Sequence, residues 1–268
     1  MTMEFALGRA SQKSPAKIFN ELEPKGSKWH WYGIVALIGN VILMMFYTTV
    51  SGWMLQYFVK TAKGDFVGLS ADGVAAEFGN MLADPVTLLI YTTITIIIGF
   101  FINSIGVQKG LEKITKWMMI ALLIIMVVLA INSMFLDGGA EGLKFYLVPD
   151  LARMKDAGIV NVVVGAMNQS FFTLSLGIGS MAIFGSYLGK ERTLMGESVN
   201  VAVLDTFVAL TSGLIIFPAC FAYNVQPDSG PSLIFITLPN IFNNLSGGRI
   251  WGSLFFVFMT FAAFSTII

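Results

Sequence analysis

Apolar residues fall into long blocks separated by short polar stretches, and the blocks predict helices rather than strands. Six of them, at residues 31 to 58, 86 to 107, 114 to 134, 158 to 188, 197 to 224 and 250 to 268, reach or approach the length of about 20 residues that an α-helix needs to cross a bilayer. None shows the period-two alternation of a membrane β-barrel strand. Residues 1 to 9, MTMEFALGR, read as the last turns of a further span, and the closing run AFSTII lacks a polar flank. The chain is therefore read as a fragment with partial spans at 1 to 9 and 250 to 268. The expected fold class is all-α, a polytopic membrane helix bundle forming a single membrane domain over residues 1 to 268.

One block departs from its own pattern. The stretch from Gln169 to Leu188, QSFFTLSLGIGSMAIFGSYL, holds Thr173, Ser175, Gly177 and Gly179 at its centre. These residues weaken a helix where lipid supplies no water, so a broken membrane helix is expected. Backbone released from the helical ladder at that depth must be buried in protein or line a cavity, because each unsatisfied amide costs several kcal/mol.

Composition agrees with a membrane setting: 56% of the residues are hydrophobic and 12% charged, against about 25% charged in soluble domains. The net charge of zero hides an asymmetry. Placing residues 9 to 29, the turn near 108 to 116 and the loop 189 to 197 on one side collects ten of the sixteen basic residues: Arg9, Lys13, Lys17, Lys25, Lys28, Lys109, Lys113, Lys116, Lys190 and Arg192. Basic loops stay cytoplasmic, so that side is expected inside, in a multi-pass protein of the cell membrane. The balance offers nothing to nucleic acid. Residues 10 to 29 suit either an amphipathic surface helix or a solvated linker, with Pro15 and Pro24 close to its ends.

Among chemically capable residues, Cys220 stands alone, so no internal disulfide forms. His30, the only histidine, sits between Trp29 and Trp31 at a membrane edge, where an interfacial anchor is expected. No metal-ligand set, nucleophile elbow or phosphate-binding loop can be assembled, so an enzyme is not expected. Two acids lie at membrane depth: Asp205, and Glu4 in the partial first span. Such groups face a partner, a cavity or an ion, although an acid that merely ties helices together would have the same sequence.

Four motifs in order, FFTLSLGIG from Phe171 to Gly179, GLEKITKWMM from Gly110 to Met119, EGLKFYLVPD from Glu141 to Asp150 and FITLPNIF from Phe235 to Phe242, resemble the bacterial branch of the neurotransmitter:sodium symporter family. The resemblance runs from the cytoplasmic end of that family's second transmembrane helix into its eighth. It implies part of an inverted-repeat sodium-symporter fold, with residues 173 to 179 as the break in the sixth helix. It also implies sodium-coupled symport of an amino acid by alternating access in the full-length protein, Na⁺ being the coupling ion. FITLPNIF resembles the family's fourth extracellular loop, a short helical hairpin over the outward vestibule.

The resemblance assigns roles position by position. Tyr47 matches the tyrosine that holds the substrate carboxylate, and Phe172 the aromatic lid above it. Leu43, Phe46, Ser175 and Ile178 match positions around the substrate side chain, and their largely apolar character implies a hydrophobic amino acid. Thr173 and Asp205 match sodium ligands of one site, and Ala262, Ser265 and Thr266 those of a second. Glu4 matches a glutamate that hydrogen-bonds the broken segment, with Gly177 supporting the break and Gln169 matching part of an anion site. Many relatives have Asn where Asp205 stands, and chloride-dependent ones have Ser where Ala209 stands. A fixed carboxylate at Asp205 can supply the negative charge that chloride supplies elsewhere, so chloride is expected not to be required, and protonation of Asp205 on the return step would give proton antiport. The competing reading is a non-transporting membrane scaffold or sensor that keeps the fold. Which amino acid is carried, and whether the protein forms a homo-oligomer, stay open.

Overall fold

The computed structural model describes residues 1–105, 111–227, 230–231 and 233–267, with the side chains of 103, 105, 111–115 and 265 excepted. Lys109, Gly110 and Asp228, with the side chains of Lys113 and Ser265, thus lie outside the described part. The described residues form helices and no strand. In chain order these are α1 (Thr2–Ser11), α2 (Ile18–Leu22), α3 (Trp31–Lys63), α4 (Ala71–Ala83), α5 (Pro85–Ile105), α6 (Leu111–Met134), α7 (Gly139–Leu147), α8 (Leu151–Asp156), α9 (Ile159–Thr173), α10 (Ser180–Tyr187) and α11 (Leu194–Ala222). A π-helical turn (Leu233–Thr237) then runs directly into α12 (Leu238–Asn244), and α13 (Gly248–Ile267) follows.

Four helical segments are long and apolar enough to cross a membrane: Trp31–Lys63, Pro85–Ile102, Lys116–Met134 and Leu194–Ala222. Their side chains argue for an apolar surrounding. On α5, Leu89 is 68% exposed and Phe100 73%, an arrangement that water penalises and that lipid or further apolar helices accept.

The helix ends are set by local chemistry. The Ser70 side chain accepts the Gly73 N–H at 3.2 Å and starts α4. Asp84 accepts the N–H and hydroxyl of Thr87 and starts α5, with Pro85 in the first turn where a missing N–H costs nothing. Asp150 accepts the Ala152 and Arg153 N–H groups and starts α8.

The chain divides into two compact units, Met1–Met44 with Asp150–Ala209, and Met45–Pro149 with Leu210–Ile268. In the first, α1 packs on α10 through small residues. A Cβ on Gly8 would overlap the Ala182 carbonyl, and one on Gly185 would overlap the Phe5 backbone, so the two backbones touch as small residues allow in membrane helices. Thr2 Oγ1 donates to Ser198 Oγ at 2.8 Å and ties α1 to the first turns of α11. Arg9 donates to the Arg192 carbonyl at 2.8 Å.

The second unit is built on aromatic rings. Phe235, from the π-helical turn, is fully buried between Tyr57 of α3, Phe78 of α4 and Phe256 of α13, with ring centroids at 4.8, 5.5 and 6.5 Å. Each such pair contributes roughly 0.5–1.5 kcal/mol beyond its buried area. The FITLPNIF segment is thereby fixed to its unit by its own first residue.

Three stretches differ from the reading of the sequence. Residues 59 to 85 fall between two of the apolar blocks, yet Val74, Phe78 and Met81 recur at helical spacing and bury one face of α4. Residues 10 to 29 are neither a continuous surface helix nor an unstructured linker. They fold back around the five-residue α2, bounded by Pro15 and Pro24. Within them Glu23 gathers the loop: its Oε1 meets His30 Nδ1 at 2.8 Å, and its Oε2 accepts the Ser27 hydroxyl and the His30 N–H at 3.0 and 3.1 Å. The π-helical turn before α12 extends the helical part of the FITLPNIF motif upstream to Leu233.

Candidate functional site: a broken helix

The apolar block at 158 to 188 is two helices. α9 ends at Thr173, α10 begins at Ser180, and residues 174–179 run between them without helical structure. The end of α9 is closed by a paired motif: the Leu176 N–H reaches the Phe171 carbonyl at 2.9 Å and the Ser175 N–H the Phe172 carbonyl at 3.1 Å. This is the six-to-one and five-to-two pairing of a Schellman cap, which needs a left-handed residue between. That residue is Ser175, at φ 51°, where glycine is the usual choice. Gly177 and Gly179 follow at φ 87° and 84°, so the chain reverses its hand three times in five residues.

Backbone groups freed by this path meet side chains of the same unit. Glu4 Oε1 of α1 accepts the Gly177 N–H at 2.7 Å. The Tyr32 hydroxyl of α3 donates to the Gly177 carbonyl at 2.9 Å, and Asn40 Nδ2 donates to the Ile178 carbonyl at 2.8 Å. Gly179 is approached by Pro15, whose Cβ would stand 2.6 Å from an added Cβ. Residues 177 to 179 are thus held from α1, α3 and the segment before α2. By contrast, no backbone N–H among the described residues reaches the carbonyls of Thr173 and Leu174.

The side chain of Thr173, the last residue of α9, meets a carboxylate. Thr173 Oγ1 donates to Asp205 Oδ1 of α11 at 2.9 Å, and Asp205 is half-buried. A hydroxyl and a carboxylate are hard oxygens of the kind that suit a small monovalent cation. Gln169 lies one turn before Thr173 on α9, and Ala209 one turn after Asp205 on α11. The second oxygen of Glu4 is buried and has no hydrogen-bond partner.

The remaining sequence-predicted residues divide between the units. Leu43, Phe172, Ser175 and Ile178 belong to the first, where Phe172 is exposed and the other three half-buried. Phe46 and Tyr47 belong to the second, their rings edge to face at 5.8 Å, and so do Ala262 and Thr266, one turn apart on α13. Tyr32 and Asn40 were not singled out by the sequence reading. Asn40 carried a usable signal, an amide inside an apolar span, whereas Tyr32 is camouflaged by its place among the edge aromatics Trp29 and Trp31.

A helical membrane bundle with one span broken around a carboxylate and free carbonyls is the architecture of a secondary transporter. The model of the sodium:neurotransmitter symporter family matches residues 75–268, and the chain belongs to that family. It is 33% identical over 263 residues to an uncharacterised sodium-dependent transporter of Bacillus subtilis, covering 98% of this chain and 57% of that protein. It is 23% identical to the sodium-dependent serotonin transporter of Drosophila melanogaster, over 96% of this chain and 47% of that one. Among solved structures it is similar to the crystal structure of MhsT in complex with L-phenylalanine, with a TM-score of 0.91, 37% identity, and coverage of 99% of this chain and 59% of that one. The chain thus spans about half the length of these curated relatives.

Proposed function

We propose that the complete protein is a sodium-coupled symporter of a hydrophobic amino acid, not an enzyme, working by alternating access in the cell membrane with residues 9–29 on the cytoplasmic side. The observation that carries this reading is the break at 174–179. It leaves the carbonyls of Thr173 and Leu174 without a backbone N–H partner where α9 ends, the Thr173 hydroxyl on Asp205, and the first, unpaired N–H groups of α10 at its other end. A zwitterionic amino acid has a carboxylate for such N–H groups, while Na⁺ has carbonyl, hydroxyl and carboxylate oxygens for ligands.

Thr173 and Asp205 are proposed sodium ligands, with Ala262, Ser265 and Thr266 for a second ion. Tyr47, Phe172, Ser175, Ile178, Leu43 and Phe46 are proposed substrate contacts, and Glu4, Gln169 and Gly177 supporting residues. The apolar set at Leu43, Phe46, Phe172 and Ile178 favours a hydrophobic side chain, and the similarity to a protein solved with L-phenylalanine supports that class. The carboxylate of Asp205 together with Ala209, which cannot bind an anion, favours transport without chloride.

The test is uptake of labelled phenylalanine and leucine by the complete gene product in liposomes, with and without an inward Na⁺ gradient, in chloride and in gluconate. Accumulation driven by Na⁺ in both media is expected. Folded protein that accumulates no amino acid under any gradient would leave the scaffold reading in its place.

A further inference from the structure

We propose that Tyr32 and Asn40 are positioning residues through which α3 sets the shape of the substrate-facing backbone between Leu174 and Gly179; this rests on the transport reading above. The two side chains take carbonyls of consecutive residues, Gly177 and Ile178, at 2.9 and 2.8 Å. They stand eight residues apart on α3, about 12 Å along the axis, and share one face with Ala36 between them. Asn40 also donates to the Ala36 carbonyl of its own helix at 2.8 Å, so its amide joins α3 directly to the break. The Tyr32 ring is seated edge to face on Phe19, with centroids 5.3 Å apart at 86°, which fixes the direction of its hydroxyl. Gly39 lies against the same neighbour: a Cβ there would stand 3.6 Å from the Cγ2 of Ile178, an ordinary van der Waals contact.

The consequence is geometric. A backbone at positive φ at Ser175, Gly177 and Gly179 has no helical ladder to hold it, so the direction of the Ile178 side chain depends on what holds its carbonyl. Asn40 is that holder, and Leu43 lies three residues further along the same face of α3. Glu4 fixes the Gly177 N–H and Tyr32 the Gly177 carbonyl, so two helices grip opposite ends of one residue. The clasp therefore tunes which amino-acid side chain fits, beyond holding the fold together.

The test uses Tyr32→Phe and Asn40→Leu, which keep shape and remove the donors, in the complete gene product in liposomes and detergent. Hydrogen exchange of the amides at 174–180 is read by mass spectrometry, alongside phenylalanine and leucine uptake. Exchange in that segment is expected to quicken by about three- to tenfold in each variant, the factor that corresponds to one hydrogen bond. Half-saturation is expected to rise by a similar factor with little change in turnover, and the phenylalanine-to-leucine preference to shift in Asn40→Leu. Asn40→Gln, which restores the amide, should recover part of the affinity. Unchanged exchange at 174–180 in both variants would overturn the proposal, as would reduced turnover with unchanged half-saturation and preference. Exchange is read whether or not the protein transports. Quickened exchange beside an unsubstituted protein that takes up no amino acid would sink the transport reading and leave the clasp standing.

Discussion

Glu4 and Gly177 are 173 residues apart in sequence, yet the carboxylate of one accepts the backbone N–H of the other at 2.7 Å. The bond supplies the partner that the broken helix denies Gly177, and a charged acceptor makes it stronger than an amide pair would be. The adjoining oxygen of Glu4 is buried and unpaired, so the arrangement carries a desolvation cost that the N–H bond has to offset.

Glu4→Ala should therefore destabilise the complete protein by about 1–2 kcal/mol, the worth of one hydrogen bond from an exposed backbone N–H to a charged group. Glu4→Gln keeps an oxygen for Gly177 and removes the charge, so its loss should be smaller. Thermal unfolding in detergent orders the three proteins. A Glu4→Gln midpoint at or below that of Glu4→Ala would show that the charge, not the acceptor, is what the break requires.

The break's glycines are not equivalent. Gly177 is at φ 87° with open space where a Cβ would stand, while a Cβ on Gly179, at φ 84°, would stand 2.6 Å from Pro15. Gly177→Ala should cost about 1–2 kcal/mol, from the left-handed backbone alone. Gly179→Ala adds displacement of Pro15 and should cost more. Ser175→Gly relieves the strain of a non-glycine residue at φ 51° and should raise the unfolding temperature slightly, while removing a hydroxyl assigned to the substrate site. The order of the three midpoints is the measurement.

The break was legible because Ser175, Gly177 and Gly179 are residues a lipid-exposed helix cannot easily carry, and that is a local property. What holds the break was legible only in part. Glu4 drew notice as an acid at membrane depth, but Tyr32 and Asn40 act on backbone 145 and 138 residues away. No local pattern records such a pairing. α4 was hidden for a different reason: it falls between the apolar blocks, where Gly, Asp and Asn along residues 59 to 85 signal turns and mask the helical spacing of Val74, Phe78 and Met81.

At the loop before α3, acid should loosen the chain. Burial pushes the Glu23 carboxyl up, but hydrogen bonds from His30 and Ser27 outweigh it and hold the group below the ordinary carboxylate value. Because the folded value is depressed, the stability these bonds contribute is fully present above the unfolded value and is lost as pH falls through the folded one. Exchange of the amides at 24–30 should therefore quicken only in acid below the ordinary carboxylate range, and Glu23→Gln should remove that dependence. Asp84 is held low in the same way by the Thr87 hydroxyl and N–H, so the first turn of α5 should loosen over a similar acid range.

The pair at the rim of the break allows charge and hydrogen bonding to be separated. Asp205 accepts from Thr173 at 2.9 Å, and Asn at position 205 would still offer an oxygen to that hydroxyl while carrying no charge. If the carboxylate neutralises a bound Na⁺, Asp205→Asn should lower sodium-driven uptake in gluconate by at least about tenfold, since one charge at close range is worth more than the 1.4 kcal/mol of that factor. Thr173→Val removes the hydroxyl and keeps the charge. It should raise the sodium half-saturation by a smaller factor, with chloride remaining irrelevant. The double variant Asp205→Asn with Ala209→Ser supplies a hydroxyl one turn further along α11 and should regain uptake in chloride but not in gluconate. Equal uptake by Asp205→Asn in both media, at the level of the unsubstituted protein, would mean that Asp205 serves only to bind Thr173 and tie α9 to α11.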